Sequence, residues 1–557
     1  MDPGRYIRTL RYLRGRQVLV RILRNVTPDR FDTSGPPDPR GRSGETVPPI
    51  ARPVEWLSPT RVRLLNVEKE FDGGIDWRSK EVPRLWVYHL HYFADLPGRA
   101  DDESSRWLGD VVRSWIASNP PGTPDAWDPY PTSLRIMNLV KWLLRLGNGE
   151  GAEVVSESLA VQTRHLERSI EFDVSANHLF ANACALTIAG LFFGGDEGDR
   201  WLSRGTSILD REMREQVLPD GGHYERSPMY HAIVLEQALD VLNVWSGAPD
   251  AGGKSARRLR QRLEAAAGRM LSWLEKMAHP DGDVSFFNDS TIGVAPTLGE
   301  LRAYGARLGL EPAETRGPER AGRSSTVTRL AESGYFRLVS EDGQTVVLFD
   351  AGSIGPDHQP GHGHCDGLSF EVSRRGRRVL VNSGISTYEP GPERLRQRRT
   401  EAHNTVRIDG EEQCEVWSAH RCGRRHGILE ASAEADSAGA SHSGFAHLPG
   451  SPIHHRTVEL TDRGVRVRDG FDGEGEHLVE WFLRLHPEIG VEPGGGGFDL
   501  LLDGERVGAL RIPPELSPTL SESTWHPGFN LSEPCPLVTA SWRGRLPRDF
   551  EFELLWK

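Results

Sequence analysis

Four segments concentrate side chains able to move protons or hold charge. Ser175-Ala-Asn-His-Leu-Phe-Ala-Asn182 sets Asn177 and His178 inside an otherwise apolar, helix-like stretch. Asp220-Gly-Gly-His-Tyr-Glu-Arg-Ser-Pro-Met-Tyr-His231 packs Glu225, Arg226, Tyr230 and His231 into twelve residues. Asp281-Gly-Asp-Val-Ser-Phe-Phe-Asn-Asp-Ser290 adds acids and amides, and Gly361-His-Gly-His-Cys-Asp-Gly-Leu-Ser-Phe-Glu371 is followed by His403-Asn-Thr405. A single buried Asn or His more often completes core hydrogen bonds than reacts, and an Asp-Gly step more often makes a turn. The His362-x-His364 pair differs. On a strand, alternate residues share a face, so two imidazoles with a later third make a plausible metal site.

The elements that must position these groups follow a change of pattern along the chain. From 84 to 310 apolar residues recur at helical spacing, as in Ile136, Leu139, Val140, Leu143 and Leu144, and again in Leu259, Leu263, Met270, Leu274 and Met277. Residues 311–327 are polar and aperiodic and read as a linker. From 328 to 557 the pattern is that of strands, with a hairpin expected where Arg456–Arg468 alternates and turns at Asp-Arg-Gly. Helices followed by strands mean two domains, α then β. Ahead of them, 1–83 reads as a basic N-terminal helix and an extended arm rich in Pro and Gly.

Composition narrows the function. The 557 residues are 37% hydrophobic and 26% charged, with fifteen Trp, a globular profile whose aromatic faces could also stack on sugars. A net charge of −12 speaks against a nucleic-acid binder. An anionic ligand would need a locally basic cleft, for which Arg374–Arg378, Arg394–Arg399 and Arg421–His426 are the candidates. Five scattered cysteines form neither a disulfide framework nor a zinc ribbon. Arginines at 5, 8, 11, 14, 16, 21 and 24 interrupt every apolar run near the start. No signal peptide and no transmembrane helix is expected, so a cytoplasmic location is. That basic amphipathic segment docks on its own protein or lies peripherally on an anionic membrane.

The Asp220–His231 and Gly361–Glu371 segments, with Ala402-His-Asn-Thr-Val406, resemble the signatures of the heparinase II/III and alginate-lyase superfamily. Trp86-Val-Tyr-His-Leu-His-Tyr-Phe93 and Tyr130-Pro-Thr-Ser-Leu-Arg-Ile136 look like its variant without a signal peptide, often linked to surface polysaccharide production. The resemblance implies an α+β multidomain fold: an incomplete (α/α) toroid followed by an antiparallel β-sandwich. It implies a carbon–oxygen lyase that cleaves a uronic-acid-containing acidic polysaccharide by β-elimination.

Carried over by motif, Asn177 neutralises the uronate carboxylate with His178 beside it, Tyr230 is the acid and in a syn reaction also the base, and His362 assists neutralisation or acts as base. A phenol with an ordinary pKa near 10 needs nearby positive charge to serve as base, which His231, Arg226 or His178 could supply. Glu225, Arg226, His231, Tyr388 and Arg135 are the substrate-binding candidates. His364 and His403 match two ligands of a structural zinc. Asn382 stands where relatives commonly place an aspartate, and a neutral amide is a poorer ligand. Two other readings compete: a non-catalytic polysaccharide-binding or assembly factor, and a glycoside hydrolase using carboxylates such as Glu225, Asp281 or Asp289.

Overall fold

The computed structural model describes residues 3–26, 30–99, 103–147, 151–313 and 325–557. Most of the expected linker, 314–324, lies outside them. Helices come first: α1 (Pro3–Leu10), α2 (Gly15–Val26), α3 (Arg84–Leu90), α4 (Ser105–Ser118), α5 (Pro129–Leu146), α6 (Ala152–Arg168), α7 (Ala176–Phe192), α8 (Gly195–Gln216), α9 (Pro228–Gly247), α10 (Gly253–Met277) and α11 (Leu298–Arg307). One more short helix, α12 (Pro392–Arg398), lies within the β-domain.

The centre of the helical domain is α7. Its sequence is apolar nearly all round, so it is buried on every side, and it packs against α5, α6, α8 and α9. Gly190 and Gly205 let α7 and α8 approach closely: a Cβ on Gly190 would meet the Leu202 backbone at 2.4 Å. The expected single N-terminal helix is two, broken at 11–14. After an irregular arm comes a three-stranded antiparallel sheet, Trp56–Ser58, Arg61–Leu64 and Val67–Glu70. The sequence reading missed it, although Arg61–Leu64 alternates exposed and buried residues.

The C-terminal domain is built of antiparallel sheets. A five-stranded sheet runs from Thr326–Leu330 to Arg377–Leu380 in chain order. In the eight-stranded sheet the last strand, Arg548–Trp556, is inserted between Gly464–Asp472 and Glu505–Arg511. The expected hairpin is present, with Ile453–Thr461 paired to Gly464–Asp472. A four-stranded sheet supplies the facing layer, and one apolar core with Val458, Val467, Trp481, Val538 and Phe552 spans both.

The two domains are joined by packed surface. Trp273 and Met277 of α10, with Phe287, form one buried cluster with Leu330, Tyr335, Val346 and Leu348 of the five-stranded sheet. The Asp220-Gly turn fixes the same seam, because the Asp220 carboxylate accepts from the Ser333 N–H and hydroxyl, both at 2.8 Å. The cleft at this seam is therefore held by apolar burial and by directed hydrogen bonds together.

Candidate active site

Three chain segments deliver the reactive groups to one place on the seam. The first is the N-terminus of α7. Ser175 and Ala176 enter it at φ 63° and 53°, left-handed values that cost a residue with a Cβ about 1–2 kcal/mol each. Such strain concentrates at functional sites, and here it turns the first helical N–H groups onto Glu225. The Asn177 N–H and its Nδ2 both donate to Glu225 Oε1 at 3.0 Å. A carboxylate at a helix N-terminus is also favoured by the helix dipole.

The second segment is the start of α9. Ser227 caps it, accepting from the Tyr230 N–H at 3.1 Å and donating to the Asp289 carbonyl at 2.6 Å, and Pro228 occupies the first turn. This sets Tyr230 in the third helical position. Its ring stacks on His362 with centroids 3.8 Å apart, and its hydroxyl lies 3.1 Å from the Tyr388 hydroxyl. Burial raises the Tyr230 and Tyr388 phenols well above their ordinary range, so both stay protonated.

The third segment is the His362-Gly-His364 turn, organised by Asp289. The carboxylate accepts from His362 Nδ1 at 2.8 Å, from His364 Nε2 at 2.7 Å, and from both ends of the Arg394 guanidinium at 2.5 and 2.7 Å. Burial alone would raise this carboxyl, but Arg394 and the two imidazoles outweigh it and hold it well below its usual range. Four donors fill the acceptor sites of one ionised carboxylate. This network assigns both tautomers: His362 carries its proton on Nδ1, and its Nε2 is the acceptor that meets the Asn177 amide. Asn177 Nδ2 lies 3.3 Å from that nitrogen, and Glu225 Oε2 lies 3.6 Å from it.

His178 completes the rim. Its Nδ1 meets Glu171 Oε1 at 3.0 Å, and its ring stacks on Tyr130 at 4.3 Å. Burial lowers this imidazole, but the Glu171 carboxylate wins and leaves it raised above its ordinary value. Asn177, His178, Tyr230, His362, Glu225 and Tyr388 are thus linked through direct contacts or shared partners.

Other expected site residues are elsewhere. Arg135 is fully buried inside the toroid, bonded to Gln162, His91 and Thr132 and lying over the Trp115 ring at 3.9 Å. It is a packing residue, closed to substrate. His231 is buried too, stacked on Trp273 and bonded to the Met270 carbonyl at 2.9 Å. Burial pushes it down to about 3, so it is neutral and supplies no positive charge to Tyr230. Arg226 reaches across the seam to the Ser353 and Glu332 carbonyls and works as a domain clamp.

The three basic runs are not a free cationic wall either. Arg394 and Arg398 are fully buried, Arg378 pairs with Asp281, Arg374 with Asp342, and Arg425 with Asp357. The carboxylates proposed for hydrolysis are committed in the same way. Asp281 holds Arg378 and Asp289 is saturated, so neither pairs with Glu225 as a free acid or base.

The metal expectation changes in one ligand. Asn382 Oδ1 accepts from Ser369 Oγ and the Asn404 N–H, both at 3.2 Å, which leaves only its amide nitrogen, a non-ligand, without a partner. Asp366 supplies the carboxylate instead: His364, Asp366 and His403 each offer an atom within 4.8 Å of the others. His364 Nδ1 and both His403 ring nitrogens are buried without a hydrogen-bond partner, a cost that a bound cation removes. Burial pushes His364 down to about 4 and His403 well below its usual value, so both are in the neutral, ligating form. These residues fit a structural zinc, with Asp289 orienting His364 from behind.

Sequence reasoning missed the roles of Asp289 and Arg394, passed over Glu171, and took Tyr130 only as part of a family motif. The signal for Asp289 was its place in a dense polar segment. The pairing to Arg394 spans 105 positions and carried no local signal.

Comparison with known proteins agrees with this architecture. Residues 69–302 match the family model described as Heparinase II/III N-terminus, and residues 322–550 match Heparinase II/III-like, C-terminal. The heparin-sulfate lyase of Pedobacter heparinus is 23% identical over 61% of this chain and 53% of its own length. FtsZ-localized protein C of Caulobacter vibrioides is 24% identical over 67% of this chain and 61% of its own. The chain spans about half the length of the heparin-sulfate lyases it matches. A crystal structure of heparinase III superposes with a TM-score of 0.67 at 19% identity, covering 87% of this chain and 79% of that one, so the toroid-plus-sheet fold is shared. With both of its domains matched along nearly their whole length, the chain belongs to the heparinase II/III family.

Proposed function

We propose that this protein is a polysaccharide lyase that cleaves a uronic-acid-containing chain by β-elimination, in the metabolism of a surface polysaccharide. One observation carries the reading. An amide (Asn177), an imidazole whose Nε2 is an acceptor (His362) and a protonated phenol (Tyr230) meet from three separate segments. Those are the three functions the reaction needs: a donor to a carboxylate, a base and an acid.

In this scheme the uronate carboxylate takes over the Asn177 Nδ2 hydrogen that meets His362 Nε2, which exposes that nitrogen. Asn177 with the His178 imidazole stabilises the charge that spreads onto the carboxylate as the C5 proton leaves. His362 Nε2 takes that proton. The C5–H electron pair becomes the C4=C5 double bond, the bond from C4 to the glycosidic oxygen breaks, and the Tyr230 hydroxyl protonates the leaving oxygen. The raised Tyr230 phenol suits the acid role and not the base role. Afterwards His362 loses its proton to solvent and Tyr230 regains one from solvent, while Tyr388 holds the phenol in place. A zinc ion at His364, Asp366 and His403 would brace the His362-Gly-His364 turn, and no proton moves through it. The Pedobacter relative, a heparin-sulfate lyase, supports an acidic polysaccharide as substrate.

The test is Tyr230→Phe on a panel of uronate polymers, read by the ultraviolet absorbance of the unsaturated product. Removing the acid is expected to lower kcat by about 10²–10⁴-fold while polymer binding and thermal stability persist. Wild-type protein that binds these polymers without generating absorbance would support a binding or assembly factor in place of the lyase.

A further inference from the structure

The two N-terminal helices dock on the protein with the wrong face. In α2, Gln17 is buried and its Nε2 donates to the Asp173 carbonyl of the helical domain and the His358 carbonyl of the β-domain, both at 3.3 Å. Arg24 binds Asp173, and in α1 Arg5 and Arg8 bind Glu415. Polar residues thus face inward. The aliphatic residues face out: Ile7 is 68% exposed, Leu10 51%, Leu19 56% and Ile22 56%, with Val18 and Leu23 beside them. A helix normally hides such a stripe against its own core. Here each of the two helices leaves such residues exposed among the described residues.

Charge indicates what covers it. Residues 3–26 carry seven arginines and no acidic residue, in a chain of net charge −12. A groove of about 500 Å³ is lined by Arg16, Arg200, Arg204 and Arg211 around Phe172 and Ile208. Arg200 and Arg204 reach Glu167 and Arg211 reaches Glu212, yet each of these three side chains stays about half exposed. Arg16 lies over the Phe172 ring at 3.4 Å, which makes the groove continuous with α2. An apolar strip bordered by cations matches the headgroup–acyl boundary of an anionic bilayer, and a general hydrophobic partner would not require the arginines. We infer that α1, α2 and this arginine groove form a docking face for an anionic lipid surface, with aliphatic side chains in the acyl boundary and lipid phosphates at the guanidinium groups. Because Asp173 lies two residues from Glu171, the partner of His178, docking sets the rim of the proposed cleft beside the membrane.

The test is co-sedimentation of the full chain with vesicles of phosphatidylcholine alone and of equal parts phosphatidylcholine and phosphatidylglycerol. Binding is expected only to the second and is expected to fall with added salt. Leu19→Glu with Ile22→Glu, and separately Arg16→Glu with Arg211→Glu, are each expected to lower the partition coefficient about tenfold or more, with unchanged melting temperature. No binding to anionic vesicles, or binding that neither pair of substitutions weakens, overturns the inference. So does a concentration-dependent dimer that Leu19→Glu with Ile22→Glu abolishes, because the stripe would then serve a second copy of this chain.

Discussion

Asp289 is the residue on which the candidate site turns. Its two oxygens hold His362, the proposed base, His364, a proposed metal ligand, and the fully buried Arg394. Asparagine preserves the shape but brings one acceptor oxygen and no charge. Asp289→Asn therefore leaves a guanidinium buried and unpaired, and is expected to cost about 3–5 kcal/mol of stability; an unchanged denaturant midpoint would contradict this role. A second prediction concerns His178. Glu171 keeps this imidazole protonated above its ordinary pH range against the pull of burial. In Glu171→Gln the strongest opposing charge is lost and the weaker pull of Glu225 and Asp173 remains against burial. The imidazole therefore titrates lower, and the alkaline limb of kcat/KM is expected to move to lower pH. A limb that stays in place would remove His178 from the carboxylate's environment. At this scale Asn177, His178, Tyr230 and His362 were legible because each sits in a segment of unusual polar density. Arg394 and Arg135 were misread for one reason. An arginine in a run or on a helix reads as solvated charge, and only tertiary contact reveals a buried guanidinium held by acceptors on distant segments.

At the scale of elements, periodicity located the helical and β regions because both are amphipathic or buried repeats with strong patterns. It assigned the N-terminal helices correctly as amphipathic but does not say which face docks, and here the hydrogen-bonding face does. The short sheet at 56–70 was passed over because its strands are three or four residues long, too short for alternation to stand out. The metal set shows the same limit. Position 382 lay in the expected segment, yet its carbonyl oxygen is committed to Ser369 and Asn404 while Asp366 turns toward His364 and His403. Zinc at a hundredfold excess over its Kd is expected to add about 2.7 kcal/mol, seen as a higher melting temperature in wild type and none in His403→Ala. Equal shifts in the two proteins would place any bound metal elsewhere.

For the whole molecule, acid is the sensitive direction. His223 and His231 are buried side by side at the start of α9, and His442 is buried in the β-domain. Burial lowers each imidazole, His223 and His442 well below the usual value and His231 to about 3. They are neutral when folded and take up protons on unfolding below about pH 6.5. Stability is therefore fully present above that pH and falls as pH drops toward the folded values, by about 1.4 kcal/mol per pH unit for each group. A melting temperature that holds constant from neutral to mildly acidic pH would contradict that state. The same seam that buries His231 against Trp273 holds the two domains in register, and the proposed elimination depends on that register, since the amide and phenol come from one domain and the imidazole from the other. The most direct measurement of that chemistry is the mass of the products formed in heavy-oxygen water from a uronate polymer the protein cleaves. Elimination predicts fragments whose masses sum to the intact chain, with no heavy oxygen and one unsaturated residue at each new non-reducing end. Fragments whose masses sum to the intact chain plus one labelled water for each broken bond would contradict it.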